Sequence, residues 1–315
     1  MGDIIIGCGG WAYFKAEGDP LINYSKIFDF VELNTTFYKI PDEKICRIWK
    51  NKVQYNKNFF FTIKVHKDIT HKNRLKPILE NFKIFDKIKE ICRILNVNIL
   101  IFQTPYDLQL DHESIKEIDE FFSSIYDKNL HFVWEFRGYN NLNLVYQQKF
   151  KDLLFNYKII HCTDIFQVNP VYINKSLAYT RIFGPRYNNK YQFDDQEIKS
   201  LNTKFIEISK QTEKIIVSFH TQRMIYDAAR AQEYNRSGNF LSVTGKFGIQ
   251  SILDAIKEHE YYPITKKDLL ENHGWKIYDK SPDEHERISK VLIKIPNKTY
   301  KNRFELFSAI ESVLK

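Results

Sequence analysis

The chain has 315 residues, and its 47 lysines and arginines exceed its 39 aspartates and glutamates by a formal net charge of +8. A hydrophobic fraction of 43% and a charged fraction of 27% are those of folded globular proteins and exclude a disordered or collagen-like chain. At about 150 residues per domain, the length indicates two domains or one barrel-sized domain with an appendage. The positive charge favours phosphate, nucleic acid or acidic partners, but the lysines are scattered rather than concentrated in one tail.

The sequence contains no signal for a membrane or for secretion. No stretch approaches the ~18 consecutive apolar residues of a membrane span, and the opening residues MGD lack the basic region of a signal peptide. The cysteines at positions 8, 46, 92 and 162 form no C-x-x-C pair, which argues against a zinc knuckle or a redox motif. We therefore expect a cytoplasmic protein with reduced thiols and no membrane partner; the oligomeric state is left open.

Short apolar runs rich in β-branched and aromatic residues recur through the first two thirds of the chain. Each is nearly continuous in apolar character, as expected of strands that are covered on both faces. The eight predicted strands cover residues 3–8, 30–34, 59–65, 98–102, 131–135, 158–162, 177–183 and 214–219.

Helical spacing separates most of these strands. Residues 77–95, for example, place apolar side chains at i, i+3 and i+4 intervals. Alternation of strand and helix over eight repeats predicts a (β/α)8 TIM-type barrel of α/β class. A doubly wound sheet is the alternative, but the turn after the first strand reads GCGGW at 7–11 and does not fit the G-x-G-x-x-G phosphate loop.

The pattern changes near residue 236, beyond which only helices are legible. We predict helices at 249–256, after a capping box that begins at Thr265, at 282–292 and at 303–313. The expected domains are therefore a barrel over residues 1–240 and a small helical C-terminal appendage over residues 241–315.

Polar residues stand at or just beyond the C-terminal end of nearly every predicted strand. Because these ends converge on one mouth in a parallel barrel, such residues share a site although they are far apart in sequence. In chain order they are Glu32, Asn34, Thr36, Tyr38, Lys64, His71, Gln103, Glu135, Arg137, Asp164, Arg181 and His220.

Five of these residues are candidates for the chemistry: His71, Glu135, Lys64, Asp164 and Glu32. His71 lies in a loop and suits a general acid or base, because imidazole titrates near neutral pH. Glu135 is the second candidate for moving protons. Lys64 would stabilise negative charge that develops during the reaction.

Six residues are candidates for binding the substrate: Arg137, Arg181, Asn34, Tyr38, Gln103 and Trp11. The arginines offer planar forks that bind phosphate or carboxylate in bidentate fashion. The two amide side chains would orient the substrate through hydrogen bonds. The two aromatic rings would stack on a base or a sugar, although most aromatic residues belong to the core.

A structural role is the alternative for each charged candidate. The glutamates could form buried ion pairs with Lys64, either arginine could bridge to Glu135 or Asp164, and His71 could cap the next helix. Such buried ion pairs are structural as often as they are catalytic. Together, however, several buried charges without a ligand would each cost several kcal/mol of desolvation, so the joint pattern favours a ligand site.

No cofactor is predicted. The residues eligible to bind a divalent metal are Glu32, His71, Glu135, Asp164 and His220, and no H-x-H or H-x-x-x-H spacing supports a metal site among them. The residue types are suitable as ligands, however, so a bound divalent metal is left open on that ground alone. The sequence contains no G-x-S-x-G motif, the turn that carries the nucleophilic serine of many hydrolases, so it does not indicate a serine nucleophile.

These residues lie in motifs that resemble the YecE-like family, domain of unknown function 72, over residues 4 to 235. The motifs are GCGGWAY at 7–13, VELNTTFYKIP at 31–41, FTIK at 61–64, ITH at 69–71, FQTP at 102–105, WEFR at 134–137, Asp164, and YTR at 179–181 with Gly184. The resemblance implies a (β/α)8 barrel whose site residues correspond to Glu32, Asn34, Tyr38, Lys64, His71, Gln103, Glu135, Arg137, Asp164 and Arg181.

The chain departs from that family at three places. Gly9 stands where members usually have serine, Phe183 where they have histidine, and His220-Thr221 where they have two asparagines. The tail, with YPITK at 262–266 and IPNKTY at 295–300, resembles a second small helical family. The first family has no settled activity. Its barrel is similar to those of apurinic endonucleases and sugar isomerases, which is an analogy of fold.

We rank three functional hypotheses. The first is an enzyme, a hydrolase or lyase, that acts at the barrel mouth on a phosphate-bearing small molecule or a nucleic-acid phosphodiester. The second is a non-catalytic module that binds a sugar, nucleotide or phosphate, with the helical tail docking a partner. The third is sequence-independent nucleic-acid binding over the basic surface. A mouth rich in both proton-transfer and anion-binding groups favours the first.

Overall fold

The computed structural model of the chain describes residues 1–14, 17–257 and 261–314. All eight strands predicted from apolar runs are present within these ranges. They are β1 (Asp3–Cys8), β2 (Phe30–Leu33), β3 (Phe60–Lys64), β4 (Ile99–Gln103), β5 (His131–Glu135), β6 (Ile160–His161), β7 (Ala178–Ile182) and β8 (Lys214–Phe219).

Helices connect most of the strands. They are α1 (Pro20–Ser25), α2 (Glu43–Val53), α3 (Leu79–Leu95), α4 (His112–Ile125), α5 (Leu144–Asn156) and α6 (Asp195–Ser209), with α7 (Met224–Ser237) after the last strand. The helix predicted over 77–95 is confirmed, and it ends where Asn96 adopts a left-handed backbone with φ of 58°. Residues 162–177, all of them described, join β6 to β7 without a helix.

The eight described barrel strands are parallel and pair in the order β6-β5-β4-β3-β2-β1-β8-β7. The ring closes between its two end strands through a parallel bridge from Thr163 to Thr180. The carbonyl oxygen of Thr163 accepts hydrogen bonds from the Arg181 backbone N–H at 3.2 Å and from the Thr180 hydroxyl at 2.7 Å. The sequence prediction of a TIM-type barrel is confirmed.

The barrel interior is apolar at its N-terminal end and charged at its C-terminal end. The apolar part is formed by buried side chains from six of the strands, which pack together in the barrel interior. They include Phe30, Ile101, Val133, Tyr179 and Ile216. Successive residues of a strand point to opposite faces, so the residue two positions further along points inward as well. This alternation directs the polar residues at the strand ends into the mouth.

The described chain forms two compact units, Met1–Ile182 with Lys204–His220, and Phe183–Thr203 with Thr221–Lys315. The first holds the eight barrel strands. In the second, the C-terminal elements are α8 (Gly248–Lys257), β9 (Ile264–Thr265), α9 (Lys266–His273), β10 (Ile277–Ser281), β11 (Glu284–Arg287), α10 (Ser289–Leu292), β12 (Thr299–Tyr300) and α11 (Arg303–Leu314).

Three of the four helices predicted in the tail are present, and the capping box at Thr265 is confirmed, with its hydroxyl accepting from the Asp268 backbone N–H at 3.1 Å. The helix predicted over 282–292 is wrong over its first half. There β11 pairs antiparallel with β10, and the tight turn at 282–283 reads Pro-Asp, a turn dipeptide. The polar strand EHER at 284–287 lacks the apolar alternation that would have signalled it.

No helix in the described ranges combines the length and the apolar content needed to cross a lipid bilayer.

Candidate functional site

The centre of the barrel mouth is an arginine held between two glutamates. Arg181, on β7, lies 2.9 Å (Nη2) and 3.1 Å (Nε) from the two carboxylate oxygens of Glu32 on β2. Its Nη1 donates to Glu135 on β5. All three side chains are buried, with at most 3% of any exposed. The ion pair that the sequence left as an alternative role for Arg181 is therefore present.

Burial alone would raise the pKa of both glutamates, because it disfavours the charged form. The Arg181 guanidinium outweighs this and holds the pKa of Glu32 well below its usual range. For Glu135, Arg181 and Arg137 together lower the pKa to about 2. The two glutamates raise the pKa of Arg181 in return. At neutral pH both carboxylates are therefore ionised and can accept a proton but not donate one.

Two hydroxyl groups complete the surroundings of Glu32. The Tyr179 hydroxyl donates to Glu32 Oε2 at 2.9 Å and lies 3.0 Å from the Thr62 hydroxyl. Sequence reasoning did not single out either residue. The signal was available, because Tyr179 is two positions before Arg181 and Thr62 two before Lys64, and strand periodicity turns both inward.

His220 follows β8 and touches the same arginine. Its Nε2 accepts from Arg181 Nε at 3.1 Å and lies 3.0 Å from the Ser218 hydroxyl. Burial and the neighbouring Arg181 lower the pKa of His220 to about 4, so the ring is neutral at pH 7. A Cβ on Gly9 would lie only 2.2 Å from this ring, so the imidazole fills the space that a side chain at position 9 would need.

Lys64 lies at the C-terminal end of β3 and is 8% exposed. Its Nζ stands 3.8 Å from the centre of the Phe37 ring, a cation–π geometry. Burial and then the charge of Arg181 lower the pKa of Lys64 to about 7, against the opposing pull of Glu32 and Glu135. A lysine in this state exchanges a proton at neutral pH, as a general acid or base must.

His71 lies in the loop that follows β3, within a π-helical turn at Asp68–Lys72. Its Nδ1 is 3.0 Å from the Thr70 hydroxyl, and its ring packs edge-on against Phe37, with centroids 4.9 Å apart. Burial and the positive charges of Lys64 and Arg137 lower its pKa, so it is neutral at pH 7. Isolated π turns are rare in proteins, and many of those that occur lie at functional sites.

Arg137 and Gln103 both contact Glu135 from its outer side. Arg137 Nε lies 2.5 Å from Glu135 Oε1, and Gln103 Nε2 donates to the same oxygen at 3.4 Å. Arg137 is 20% exposed, far more than the 2% of Arg181. Of the two arginines, Arg137 is thus the one that solvent or a ligand reaches.

The remaining predicted binding residues occupy the rim. The Asn34 amide donates to the Gly9 carbonyl at 2.7 Å, and its Oδ1 accepts from Arg181 at 3.4 Å. Tyr38 is 68% exposed. Trp11 packs edge-on against Trp49, with ring centroids 5.3 Å apart.

Asp164 follows β6 and is 2% exposed. Its carboxylate accepts from the backbone N–H of Phe166 and from the side chain of Gln167, each at 3.0 Å. These contacts shape the loop in which it lies.

Among residues 1–14, 17–257 and 261–314, no group of three or more histidine, cysteine, aspartate or glutamate side chains is arranged to hold a metal ion. The two central carboxylates converge on the Arg181 guanidinium instead. We name Glu32, Lys64, Glu135, Arg137 and Arg181 the mouth cluster.

Solved structures resemble this fold. A DUF72 family protein from Enterococcus faecalis V583 superposes with a TM-score of 0.59 at 18% identity, over 74% of this chain and 94% of that one. A DUF72 family protein from Thermotoga maritima MSB8 gives 0.57 at 18% identity, over 75% and 98%. A family 2 AP endonuclease from Brucella melitensis gives 0.47 at 10% identity, over 70% and 94%.

No curated protein matches the sequence. A family model described as "Protein of unknown function DUF72" matches residues 5–239. This span contains every residue of the mouth cluster, and it confirms the resemblance noted in the sequence motifs. The chain belongs to the DUF72 family.

Proposed function

We propose that the barrel mouth is the active site of an enzyme whose substrate carries a phosphate group. The observation that carries the proposal is the charge balance of the mouth cluster. Three basic side chains of the cluster face its two glutamates, and the neighbouring His71 and His220 are neutral at pH 7. An anion that enters the mouth would meet a site with unmatched positive charge.

The lowered pKa of Lys64 reflects its burial first and the excess of positive charge second. Its charged form is disfavoured by burial and by Arg181 more than Glu32 and Glu135 stabilise it. A bound phosphate would supply the missing negative charge. Ligand pockets with strongly perturbed titrating groups are frequent sites of catalysis.

Each residue then has a role that follows from its exposure and protonation state. Arg137, partly exposed, binds the anion. Arg181, buried between the glutamates, positions them rather than clamping the ligand. Lys64 and His71 move protons, and ionised Glu135 serves only as a base. Gln103 and Asn34 orient the substrate.

The experiment is calorimetric titration of the full chain with inorganic phosphate at pH 6.5 and low salt. A charge-assisted hydrogen bond contributes about 1.5–3 kcal/mol, so Arg137→Met should weaken binding by about 10- to 100-fold. Arg47→Met is the matched control, because Arg47 is 65% exposed on α2 and pairs with Glu43 in an exposed i, i+4 contact. It should change the affinity less than about twofold.

Sulfate, which stays fully ionised from pH 5 to 9, tests the contribution of Lys64. Affinity should fall as pH rises through about 7 in the wild type, because Lys64 loses its charge there, and should be flat in Lys64→Met. Equal affinity of wild type and Arg137→Met for phosphate would refute the proposal. Product formation, assayed on duplex DNA with and without one abasic site and on sugar phosphates, separates an enzyme from a binding module.

A further inference from the structure

Lys64 differs from the other basic residues of the mouth cluster in its contacts. Arg137 and Arg181 each pair with a glutamate. The Lys64 ammonium forms no hydrogen bond or ion pair with any residue in the described part of the chain, and it lies over the face of the Phe37 ring. A buried lysine without a carboxylate partner is uncommon, since ionised groups in protein interiors are normally paired.

The end of β3, which carries Lys64, is held in place next to the Phe37 ring. The Thr36 hydroxyl lies 2.7 Å from the backbone carbonyl of Lys64 and 2.6 Å from that of Leu33, which ties the end of β3 to the end of β2. Phe37 follows directly and carries both the Lys64 contact and the His71 contact. The amine is thus held in place at the mouth without being neutralised by an acid.

The charged groups that act on the Lys64 amine come from three other strands and one loop. Arg181 on β7 and Arg137 after β5 disfavour its charged form, and Glu32 on β2 and Glu135 on β5 favour it. Burial decides the balance, and the pKa falls to about 7. Without a bound ligand, a far larger fraction of the Lys64 amine is then neutral at pH 7 than for a lysine with the ordinary pKa of about 10.4.

We propose that Lys64 is a nucleophile that forms a Schiff base, and that the substrate class of the mouth is a phosphate-bearing aldehyde or ketone. The phosphate part of this inference rests on the proposed function, whereas the amine part stands on the geometry of Lys64. A desolvated lysine next to other cations is a recognised means of activating this amine.

The step balances without an added oxidant or reductant. The lone pair of neutral Nζ forms a bond to the carbonyl carbon, and the carbonyl π electrons move to oxygen, which takes up a proton. That proton comes from Nζ, and the resulting carbinolamine then loses its hydroxyl group, together with the remaining hydrogen on Nζ, as water. The product is an imine between Nζ and the former carbonyl carbon, and its protonated form would lie beside ionised Glu32 and Glu135.

The experiment treats the full chain at pH 7 with glycolaldehyde phosphate and sodium cyanoborohydride, which delivers hydride to a protonated imine. Each trapped lysine then gains the mass of the probe less one oxygen atom, and peptide mass spectrometry identifies it. We expect the wild type to be labelled first at Lys64, at least about 10-fold faster than at any exposed lysine. Lys64→Arg and Lys64→Met should both lose this adduct.

Lys67→Arg is the matched control. Lys67 lies three residues beyond Lys64, in the loop that follows β3, is exposed, and has its Nζ 5.8 Å from the Tyr38 ring. This variant should keep the Lys64 adduct. Mapping on the wild type alone decides the matter if a Lys64 variant does not fold, because labelling spread evenly over surface lysines would overturn the inference.

Two outcomes separate this inference from the proposed function. Labelling of Lys64 by unphosphorylated glycolaldehyde at the rate of the phosphorylated probe would leave the amine chemistry standing and refute the phosphate. Binding of inorganic phosphate that depends on Arg137, with no adduct at Lys64, would support the proposed function and overturn the Schiff base.

Discussion

Within the described residues, two buried clusters of charge, one in each unit, differ in what their charges do. The second lies in the C-terminal unit and comprises Asp195, Arg230, Asp279 and His285, which we name the hairpin cluster. His285 Nδ1 is 3.0 Å from Asp195 Oδ2, and its Nε2 is 3.3 Å from Asp279 Oδ1. Arg230 also donates to Asp195. Two acids there face two bases.

The pKa of the titrating base moves in opposite directions in the two clusters. The hydrogen bond to Asp195 and the nearby carboxylate of Asp279 raise the pKa of His285 to about 9, whereas burial and Arg181 lower that of Lys64 to about 7. The hairpin cluster is matched within itself and stabilises the fold. The mouth cluster has a surplus cation that the protein does not neutralise. Buried charge alone therefore does not indicate a ligand site, and the unmatched charge of the mouth cluster is what supports the one proposed above.

The largest effect is expected from Arg181→Met, which leaves two buried carboxylates without their shared partner. We expect a loss of about 3–5 kcal/mol in the free energy of unfolding at pH 7, measured by urea denaturation. The depressed pKa values of Glu32 and Glu135 contribute stability above about pH 4.5, and this is lost as pH falls through about 2. The cost of the substitution should therefore shrink in acid.

The exposed pair of Arg47 and Glu43 provides the control, since Arg47→Met should cost at most about 0.5 kcal/mol. A cost below about 1 kcal/mol for Arg181→Met would mean that the glutamates are not held by this arginine.

The next effect concerns the matched cluster. His285→Gln removes a charged hydrogen-bond donor from Asp195 and a positive charge from beside Asp279, and we expect a loss of about 2–3 kcal/mol at pH 6. Because the folded pKa of His285 lies above its unfolded value near 6.5, its contribution is complete below that pH and disappears as pH rises through about 9. Urea denaturation from pH 5.5 to 9.5 checks the trend.

His112→Gln, at an exposed histidine that begins α4, should give no such trend. A pH-independent cost for His285→Gln would show that this histidine is neutral, and the contrast between the two clusters would fail.

The smallest effect tests the packing at the mouth. Gly9→Ser should destabilise by about 1–3 kcal/mol, because its Cβ would meet the His220 ring at 2.2 Å. The resemblance described in the sequence analysis implies serine at position 9 and asparagine at position 220. In Gly9→Ser/His220→Asn the clash with the ring is removed, while the contact with Asn34 Nδ2 at 2.6 Å remains, and a double-mutant cycle by urea denaturation should give a coupling of at least about 1 kcal/mol.

Gly10 is the control for this cycle. A Cβ added there would meet open space, but the backbone has a φ of 136°, so Gly10→Ser should cost backbone strain that does not couple to His220. Additivity of Gly9→Ser and His220→Asn within about 0.5 kcal/mol would show that the ring moves aside freely.

The sequence predicts the barrel well, because its buried strands are short apolar runs that end in polar residues. It also predicts which residues meet at the mouth, since strand ends converge. It could not predict which base pairs with which acid: Arg181 is enclosed by Glu32 and Glu135, whereas Lys64 is left on an aromatic ring. Those outcomes depend on distances of a few tenths of an ångström across strands far apart in sequence.

In the tail, the paired strands were missed for a different reason. β10 and β11 are held by backbone pairing and by charged residues such as His285, so apolar periodicity carries no signal for them. Only the turn dipeptide at 282–283 marks the hairpin.

Because the connection between β6 and β7 contains no helix, the barrel can be cut there into two fragments. These two strands end the hydrogen-bonded order of the sheet, so a proteolytic nick within residues 166–176 would leave β1–β6 on one fragment and β7 and β8 on the other. The fragments would still share the six-residue ladder from Asp3↔Lys214 to Cys8↔Phe219. Because the second fragment carries Arg181 and the first both glutamates, the ion pairs at the centre of the mouth would also be the recognition element for fragment complementation.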